Sequence, residues 1–358
     1  MSEMSSNKHD HGRYRKQERL AEMGDAGQRS LGEAHAVVVG VGALGCAVAD
    51  QLARAGVGGL TLIDRDVVEW SNLQRQSLYT EQDAREGLAK AEAARRRLKE
   101  VNSSVEIEGV VADVSPRNAE RLLLRRGSSD RFVIVDGTDN FEVRYLLNDV
   151  AVKHGVALAY AGVVGTVGTS MLVRPGKTAC LRCVGEKPEA GSVETCETAG
   201  VFGPAVAGIA AFQAAEVIRY LARGETGMSA SVACLDVWRR SVRIIDATGL
   251  GPRRECVCCG QRRFEHLDSK RIGEDVALCG QDAVQVTAGE DRRLDLVELA
   301  GRWRGLGVVV CSTGLARLTF ASEERAREIS VFADGRAIVK GTTRPEVARA
   351  IYARYVGI

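Results

Sequence analysis

The run Val37-Val38-Val39-Gly40-Val41-Gly42-Ala43-Leu44-Gly45, continuing through Cys46 to Ala55, leaves this chain few ways to begin folding. A short β-branched segment breaks into glycines and then into an Ala/Leu-rich helical pattern. That order reads as a strand, a tight turn and a helix N-terminus, where backbone N–H groups and the helix dipole suit a phosphate. The next apolar run, Gly59-Leu60-Thr61-Leu62-Ile63, ends in Asp64. This is roughly the 20-residue distance at which a carboxylate meets a ribose hydroxyl. Strand, turn, helix and acid together point to a nucleotide at Gly40, Gly42, Gly45 and Asp64. The turn alone does not separate a dinucleotide from ATP, and a tight βα turn holding nothing is the alternative.

The segment from Asp64 to Gln76 follows a strand end, where open α/β sheets bind ligands. It offers Asn72 and Arg75 to phosphates, and the guanidinium fork matches phosphate oxygens. Lys90, near the start of an expected helix from Ala89 to Val101, adds a point charge in the same region. Further strands are expected at Val105 to Val110, Arg131 to Val135 and Val156 to Tyr160, with helices at Pro116 to Leu124 and Phe141 to Lys153. The fourth strand ends in Asp136-Gly137-Thr138-Asp139-Asn140. Two carboxylates beside phosphates suit Mg²⁺, which takes one or two carboxylates plus phosphate oxygens. Alternatively, Asp139 and Asn140 cap the helix that follows. The alternation of strand and helix indicates an α/β fold: a doubly wound, Rossmann-like, mainly parallel sheet.

Lys and Arg total 49 against 47 Asp and Glu, a balance that argues against a general nucleic-acid or anionic-membrane surface. No run reads as long and apolar enough to span a bilayer, and residues Met1 to Asp10 lack a signal-peptide core, so a soluble cytoplasmic chain is expected. Residues 1–11 read as a disordered tail. Arg13 to about Leu31 reads as one charged helical stretch.

In a reducing compartment, ten cysteines are read as metal ligands or catalysts before disulfides. Cys180-Leu181-Arg182-Cys183 and Cys256-Val257-Cys258-Cys259 form two C-x-x-C knuckles, giving the four thiolates of a closed tetrahedral Zn²⁺ site. Cys180, Cys183, Cys256 and Cys259 are the expected ligands and Cys258 the extra thiol, although another choice within that pair is open. Between the knuckles, Cys196 precedes an apolar helix, Ala205 to Leu221, in a polar stretch where a thiol could be exposed and partly ionised; an inert cysteine is the alternative. Residues 12–264 are read as the nucleotide-binding domain and 265–358 as a small α+β domain. The latter's expected strands are Gly307 to Cys311, Leu315 to Ala321, Glu328 to Phe332 and Ala337 to Val339. Ala333-Asp334-Gly335-Arg336 is its hairpin turn.

Taken in order, Arg13-Tyr14-x-x-Gln17, Gly40-x-Gly42-x-x-Gly45, Asp64, Ser71-Asn72-Leu73-Gln74-Arg75-Gln76, Lys90, Thr138-Asp139-Asn140 with Arg144, and the paired knuckles form a set that resembles the ThiF/MoeB/HesA family, relatives of ubiquitin-activating enzymes. The resemblance covers about Gly12 to Gly260. It implies an adenylyltransferase that binds ATP with Mg²⁺ and a small β-grasp sulfur-carrier protein of the ThiS type, or alternatively of the MoaD type. The carrier's C-terminal carboxylate attacks the α-phosphate, pyrophosphate leaves, and the acyl-adenylate awaits sulfur from a donor such as a cysteine desulfurase. By position, Asp64 would hold the ribose, Asn72, Arg75 and Lys90 the phosphates, and Asp139 the Mg²⁺. Cys196 matches a loop cysteine that ThiF-type members use in a covalent bond with the carrier. The family's N-terminal motif ends in an arginine that reaches the ATP of the other subunit of a homodimer. Here Lys16 stands in that place with Arg15 before it, so one of the two would serve. A relative activating a peptide C-terminus, an NAD-dependent oxidoreductase and a zinc-stabilised scaffold are the competing readings. No hydride-transfer pair is convincingly placed for the second. The third leaves unexplained why Asn72, Arg75, Lys90 and Asp139 remain in register with phosphates.

Overall fold

The strands that build the first sheet are legible in the sequence as β-branched or apolar runs. Their order in space is what creates a site. The computed structural model describes residues 12–125, 131–185, 199–226, 228, 230–269, 276–278, 282–286, 294–312, 314–321 and 326–357. The strands are β1 His35–Val39, β2 Gly59–Asp64, β3 Glu106–Val111, β4 Phe132–Asp136, β5 Ala157–Val164, β6 Val167–Val173, β7 Ser231–Asp236 and β8 Ser241–Asp246. They lie in the order β3-β2-β1-β4-β5-β6-β7-β8. β1 to β5 pair in parallel, whereas β5 to β8 form an antiparallel extension. The direction of winding reverses between β1 and β4, and a crevice opens at such a switch point.

Helix Ala43–Ala55, on one face, and helix Phe141–His154, on the other, sit in two separate apolar clusters. Helix Gly203–Arg223 packs against helix Ala43–Ala55, helix Gly24–Gly32, β5 and β6. By length and composition it is apolar enough to cross a membrane, contrary to the expectation that no run would be. Its buried Val206, Ile209, Val217 and Leu221 instead form part of the core. Two local expectations change. The charged N-terminal stretch is two helices, Arg15–Glu18 and Gly24–Gly32, because the chain turns at Gly24, whose φ is 59°. The helix expected from Pro116 starts only at Ala119. The Asn118 side chain organises the preceding turn, accepting from the Ser115 amide at 2.8 Å and donating to the Asp113 carbonyl at 2.8 Å.

The second sheet is wholly antiparallel. It comprises β9 Val276–Leu278, β10 Ala283–Val286, β11 Val308–Ser312, β12 Leu315–Ala321, β13 Ala326–Phe332 and β14 Ala337–Lys340, in the order β11-β12-β13-β14-β10-β9. The Asp334-Gly335 turn joins β13 to β14 as expected, with Gly335 at φ 84°. Period-2 alternation gives this sheet two apolar faces. Ile329, Val331 and Val339 point toward Trp303 and the helices Leu296–Arg302 and Pro345–Tyr355. Phe332 and Ile338 point the other way and join Val67 and Val111 of the first domain.

Candidate nucleotide and metal sites

The glycine turn is held shut by backbone contacts that no side chain could tolerate. The Gly40 amide donates to the Ile63 carbonyl of β2, and the Gly137 amide to the Val39 carbonyl, each at 2.8 Å. A Cβ on Gly45 would lie 1.9 Å from the Gly40 carbonyl oxygen, and one on Gly137 would lie 2.3 Å from the same atom. Gly40 itself has φ 79°, in the left-handed region. A Cβ on Gly42 would meet nothing closer than Gln76 Nε2 at 3.9 Å. Gly42 caps helix Ala43–Ala55 and faces the crevice, so the helix's first amides open onto it. The Tyr79 hydroxyl donates to the Val41 carbonyl at 2.6 Å and braces the loop from behind.

The crevice is a cavity of about 340 Å³, lined among others by Gly40, Gly42, Asp64, Arg75, Lys90, Asp139 and Asn140. Of the nucleotide residues expected from sequence, these seven are brought together. Asp64 is buried; its two oxygens accept from the amides of Val41 and Asp66, each at 2.7 Å. Burial pushes its pKa up, and Lys90 opposes that shift. Lys90 is buried beside Asp66, its ammonium 3.2 Å from the Asp66 carboxylate. Burial works against the lysine charge, but Asp66 and Asp64 outweigh it and hold the pKa above the ordinary lysine value. Burial also opposes the Asp66 charge; Lys90 and Arg65 outweigh it there, leaving the carboxyl below its usual range. The site thus carries a cation that stays charged at any physiological pH. Arg75, half-buried at the rim, donates to the Ser71 carbonyl at 2.9 Å.

The alternative uses of Asp139 and Asn140 are divided between them. The Asn140 side chain caps helix Phe141–His154, accepting from the amides of Glu142 at 2.8 Å and Val143 at 3.3 Å. Asp139 is exposed in the cavity, and among the described residues nothing hydrogen-bonds its carboxylate. Asp136 cannot serve a cation in the same way. It is fully buried and accepts from Arg144 Nε at 3.0 Å, the Thr138 amide at 2.9 Å and the Thr138 hydroxyl at 2.7 Å. One exposed carboxylate beside a cavity with room for phosphates is a donor set that suits Mg²⁺ with a nucleotide.

Three expected residues lie elsewhere, and one lies outside the described residues. Gly45 packs against Gly40 rather than lining the cavity. Asn72 is buried and its Oδ1 accepts from the Glu69 amide at 3.0 Å, capping the short turn Trp70–Asn72; it lines a smaller hollow that it shares with Asp66 and Lys90. Lys16 does not line the cavity of its own chain. Helix Arg15–Glu18 is tied down by the other residues of its motif, which explains their pattern. Tyr14 accepts from Asn102 Nδ2 at 2.7 Å, and Gln17 Nε2 donates to the Ala55 carbonyl at 3.0 Å, leaving Arg15 and Lys16 exposed. Cys196 lies outside the described residues. Sequence reasoning missed Asp66, the partner of Lys90, although its place two residues after Asp64 in a strand-exit loop was a usable signal.

The sulfurs of Cys180, Cys183, Cys256 and Cys259 all lie within 4.8 Å of one another. Measured pairs are 3.9 Å for Cys180–Cys183, 3.7 Å for Cys180–Cys256 and 3.3 Å for Cys183–Cys259. A tetrahedral zinc with Zn–S near 2.3 Å sets sulfurs roughly 3.8 Å apart, so the four thiols fit that ion. Cys258 is buried and accepts from Asn148 Nδ2 at 3.3 Å. Asn148 also accepts from the Leu181 amide at 2.9 Å, so one side chain of helix Phe141–His154 grips both knuckles.

The ThiF family model matches residues 14–256. The chain is 39% identical over 346 residues to the sulfur carrier protein ThiS adenylyltransferase of Bacillus subtilis, covering 97% of this chain and 99% of that one. It is 38% identical over 270 residues to the SAMP-activating enzyme E1 of Haloferax volcanii, covering 74% of this chain and 95% of that one. Among solved structures, Escherichia coli MccB with succinimide matches at a TM-score of 0.60 and 24% identity, over 71% of this chain and 75% of that one, which shows a shared fold.

Proposed function

Because this chain belongs to the ThiF family, we propose that it is an adenylyltransferase that activates the C-terminal carboxylate of a small sulfur-carrier protein with ATP. The carrier is of the ThiS type, and the product serves sulfur transfer in formation of the thiamine thiazole. The observation that carries this reading is the likeness to the Bacillus subtilis enzyme along nearly the whole of both chains, C-terminal sheet included.

The cavity supplies the chemistry. The carboxylate oxygen attacks the α-phosphorus, the bond to the β-phosphate oxygen breaks, and pyrophosphate leaves with the electron pair. Two anions must approach each other, so the barrier falls when fixed cations collect the charge of the transition state. Lys90, held charged by Asp66, and Arg75 at the rim are the cations in place. Asp64, already orienting the glycine turn through the Val41 amide, takes the ribose, and the amides after Gly42 face the phosphates. Mg²⁺ held by Asp139 would neutralise the departing pyrophosphate. Zn²⁺ at the four cysteines would be structural, fastening the Cys256–Cys259 knuckle to the Cys180–Cys183 knuckle beside Asn148 of helix Phe141–His154. Lys16 or Arg15, exposed and away from their own cavity, would complete the site of a second copy in a homodimer. Cys196 is the candidate for a covalent bond to the carrier.

The test is ATP–pyrophosphate exchange with Mg²⁺ and a ThiS-type carrier, beside the same carrier lacking its terminal glycine and a MoaD-type carrier. Exchange that needs the intact ThiS-type tail supports the proposal. Exchange with the MoaD type alone reassigns the carrier. Exchange with neither, from folded zinc-loaded protein, refutes it.

A further inference from the structure

Among the described residues, the C-terminal sheet meets the first domain beside the outer wall of the nucleotide cavity. Phe332, Ile338, Leu315 and Ala283 close over Val67, with Val111 packed against the same cluster. Val67 follows β2 and Val111 ends β3, the two strands whose exits form the cavity wall through Asp64-Arg65-Asp66 and Ala112-Asp113-Val114. Polar contacts ring this apolar plug. Arg336 Nη2 donates to the Arg65 carbonyl at 3.2 Å. Gln285 Nε2 donates to Asp113 Oδ2 at 2.8 Å, while Arg65 Nη1 reaches Asp113 Oδ1 at 3.2 Å. Lys340 pairs with Glu69, and Arg317 Nη2 donates to the Gly87 carbonyl at 3.4 Å.

Arg336 is unusual for a hinge between domains. It is 4% exposed, its guanidinium lies 4.0 Å from the centroid of the Phe332 ring, and Nη1 has no hydrogen-bond partner among the described residues. Burying a guanidinium with a donor unpaired is costly. A chain that merely needed two domains glued together would do better with an apolar side chain. Besides a 3.7 Å ion pair from Nε to Asp334 of its own turn, what the arginine accomplishes there is to fix one backbone carbonyl, that of Arg65, between two acidic residues of the cavity.

We propose that the C-terminal sheet is a brace for the ribose end of the nucleotide site, with Arg336 and Gln285 as positioning residues acting through Arg65 and Asp113. This rests on the reading of the cavity as an ATP site. Asp64 accepts from the Asp66 amide across Arg65, so a shift at Arg65 moves the ribose acceptor and the partner of Lys90 together. The phosphate end rests mostly on Arg75 and the Gly42 helix cap, which stand on other elements, so it is disturbed less, and only through Asp66 and Lys90.

The experiment uses the full chain and calorimetric titration of ATP, AMP and pyrophosphate against the unaltered protein, Arg336→Met, Arg336→Lys and Gln285→Leu, with a melting curve for each. Loss of one charge-assisted contact to the wall is expected to weaken AMP and ATP by a common factor of about ten in Arg336→Met. Pyrophosphate affinity should fall clearly less than AMP affinity, by no more than about threefold, and Arg336→Lys should recover part of the loss. A purely structural role would lower the melting temperature without separating AMP from pyrophosphate, and that result overturns the proposal. So do unchanged AMP and ATP affinities in a folded Arg336→Met. Should Arg336→Met fail to fold, Gln285→Leu decides by the same ratio. If the unaltered protein binds neither ATP nor AMP, the nucleotide reading itself is overturned, a result distinct from loss of the brace alone.

Discussion

Alanine at Gly45 and alanine at Gly42 should fail in opposite ways, although the residues lie three apart in one turn. At Gly45 the added methyl would sit 1.9 Å from the Gly40 carbonyl oxygen, where real Cβ contacts essentially never fall below 3.0 Å. The obstacle is backbone, so it must move by at least 1.1 Å, the difference of those two distances. Gly40 cannot yield alone: its amide is bonded to Ile63, and Gly137 presses its carbonyl from the other side. Overpacking of this kind costs about 3 kcal/mol, at the upper end of its range because no side chain can rotate away. That corresponds to a fall in melting temperature of roughly 6–12 °C for a domain of this size class. At Gly42 the methyl has 3.9 Å to its nearest neighbour and extends into the cavity. Stability should change by no more than about 1 kcal/mol, the scale of an N-cap exchange. ATP binding should weaken at least tenfold, because the methyl occupies space a phosphate needs near the helix amides. Melting curves and calorimetric ATP titration read the two effects separately. A Gly45→Ala protein that melts within 2 °C of the unaltered chain would refute the packing argument; so would a Gly42→Ala protein that keeps its ATP affinity refute the placement of the phosphates.

Asp139→Asn should reduce exchange by roughly 100-fold or more with little change in melting temperature, whereas Asn140→Ala should lose about 1 kcal/mol of stability as the helix cap goes, measured by urea unfolding. Cys259→Ser should release zinc while Cys258→Ser retains about one zinc per chain, by metal analysis of dialysed protein; the reverse would reassign the ligands. Lys90→Met should cut exchange by about 100-fold or more while leaving the carrier's own affinity nearly unchanged, by exchange kinetics and direct carrier binding. Asp66 is held below its ordinary pKa, so its contribution to stability is present above the unfolded value and is lost as pH falls through the folded one. The stability difference between the unaltered chain and Asp66→Asn should therefore be full at neutral pH and shrink under acid, by urea unfolding across pH.

How much of this was legible depended on the range of the cause. Glycine turns, C-x-x-C spacing and β-branched runs are local, so β1, β2, β4 and the four sulfurs could be assigned from the chain itself. Asp139 and Asn140 stood next to each other with two jobs between them, and only coordinates could say that Asn140 takes the cap. Asn72 looked like a phosphate ligand because of its neighbours in a motif, yet its Oδ1 is committed to the Glu69 amide. In that case the motif describes, in part, how the loop is built. The two short strands Val276–Leu278 and Ala283–Val286 were missed because three or four residues are too few to show a period.

The brace was invisible for a different reason. Arg336 and Arg65 are 271 residues apart, as are Lys340 and Glu69. No spacing rule reaches that far. A hairpin reading of Ala333 to Arg336 placed the arginine at the end of a turn, where a solvated side chain is the ordinary outcome. The structure buries it instead, because the sheet has two apolar faces and only one is covered by its own helices. The second face has to be covered by something, and the exits of β2 and β3 present Val67 and Val111 at the right place. Once that face is closed, any polar residue beside Phe332 and Ile338 is buried with it and must find partners in the cavity wall. A sequence with this C-terminal sheet therefore ties its stability and its nucleotide site together, and substitutions on the Phe332 face should alter nucleotide affinity even though none of them lies in the Gly40 to Gly45 turn.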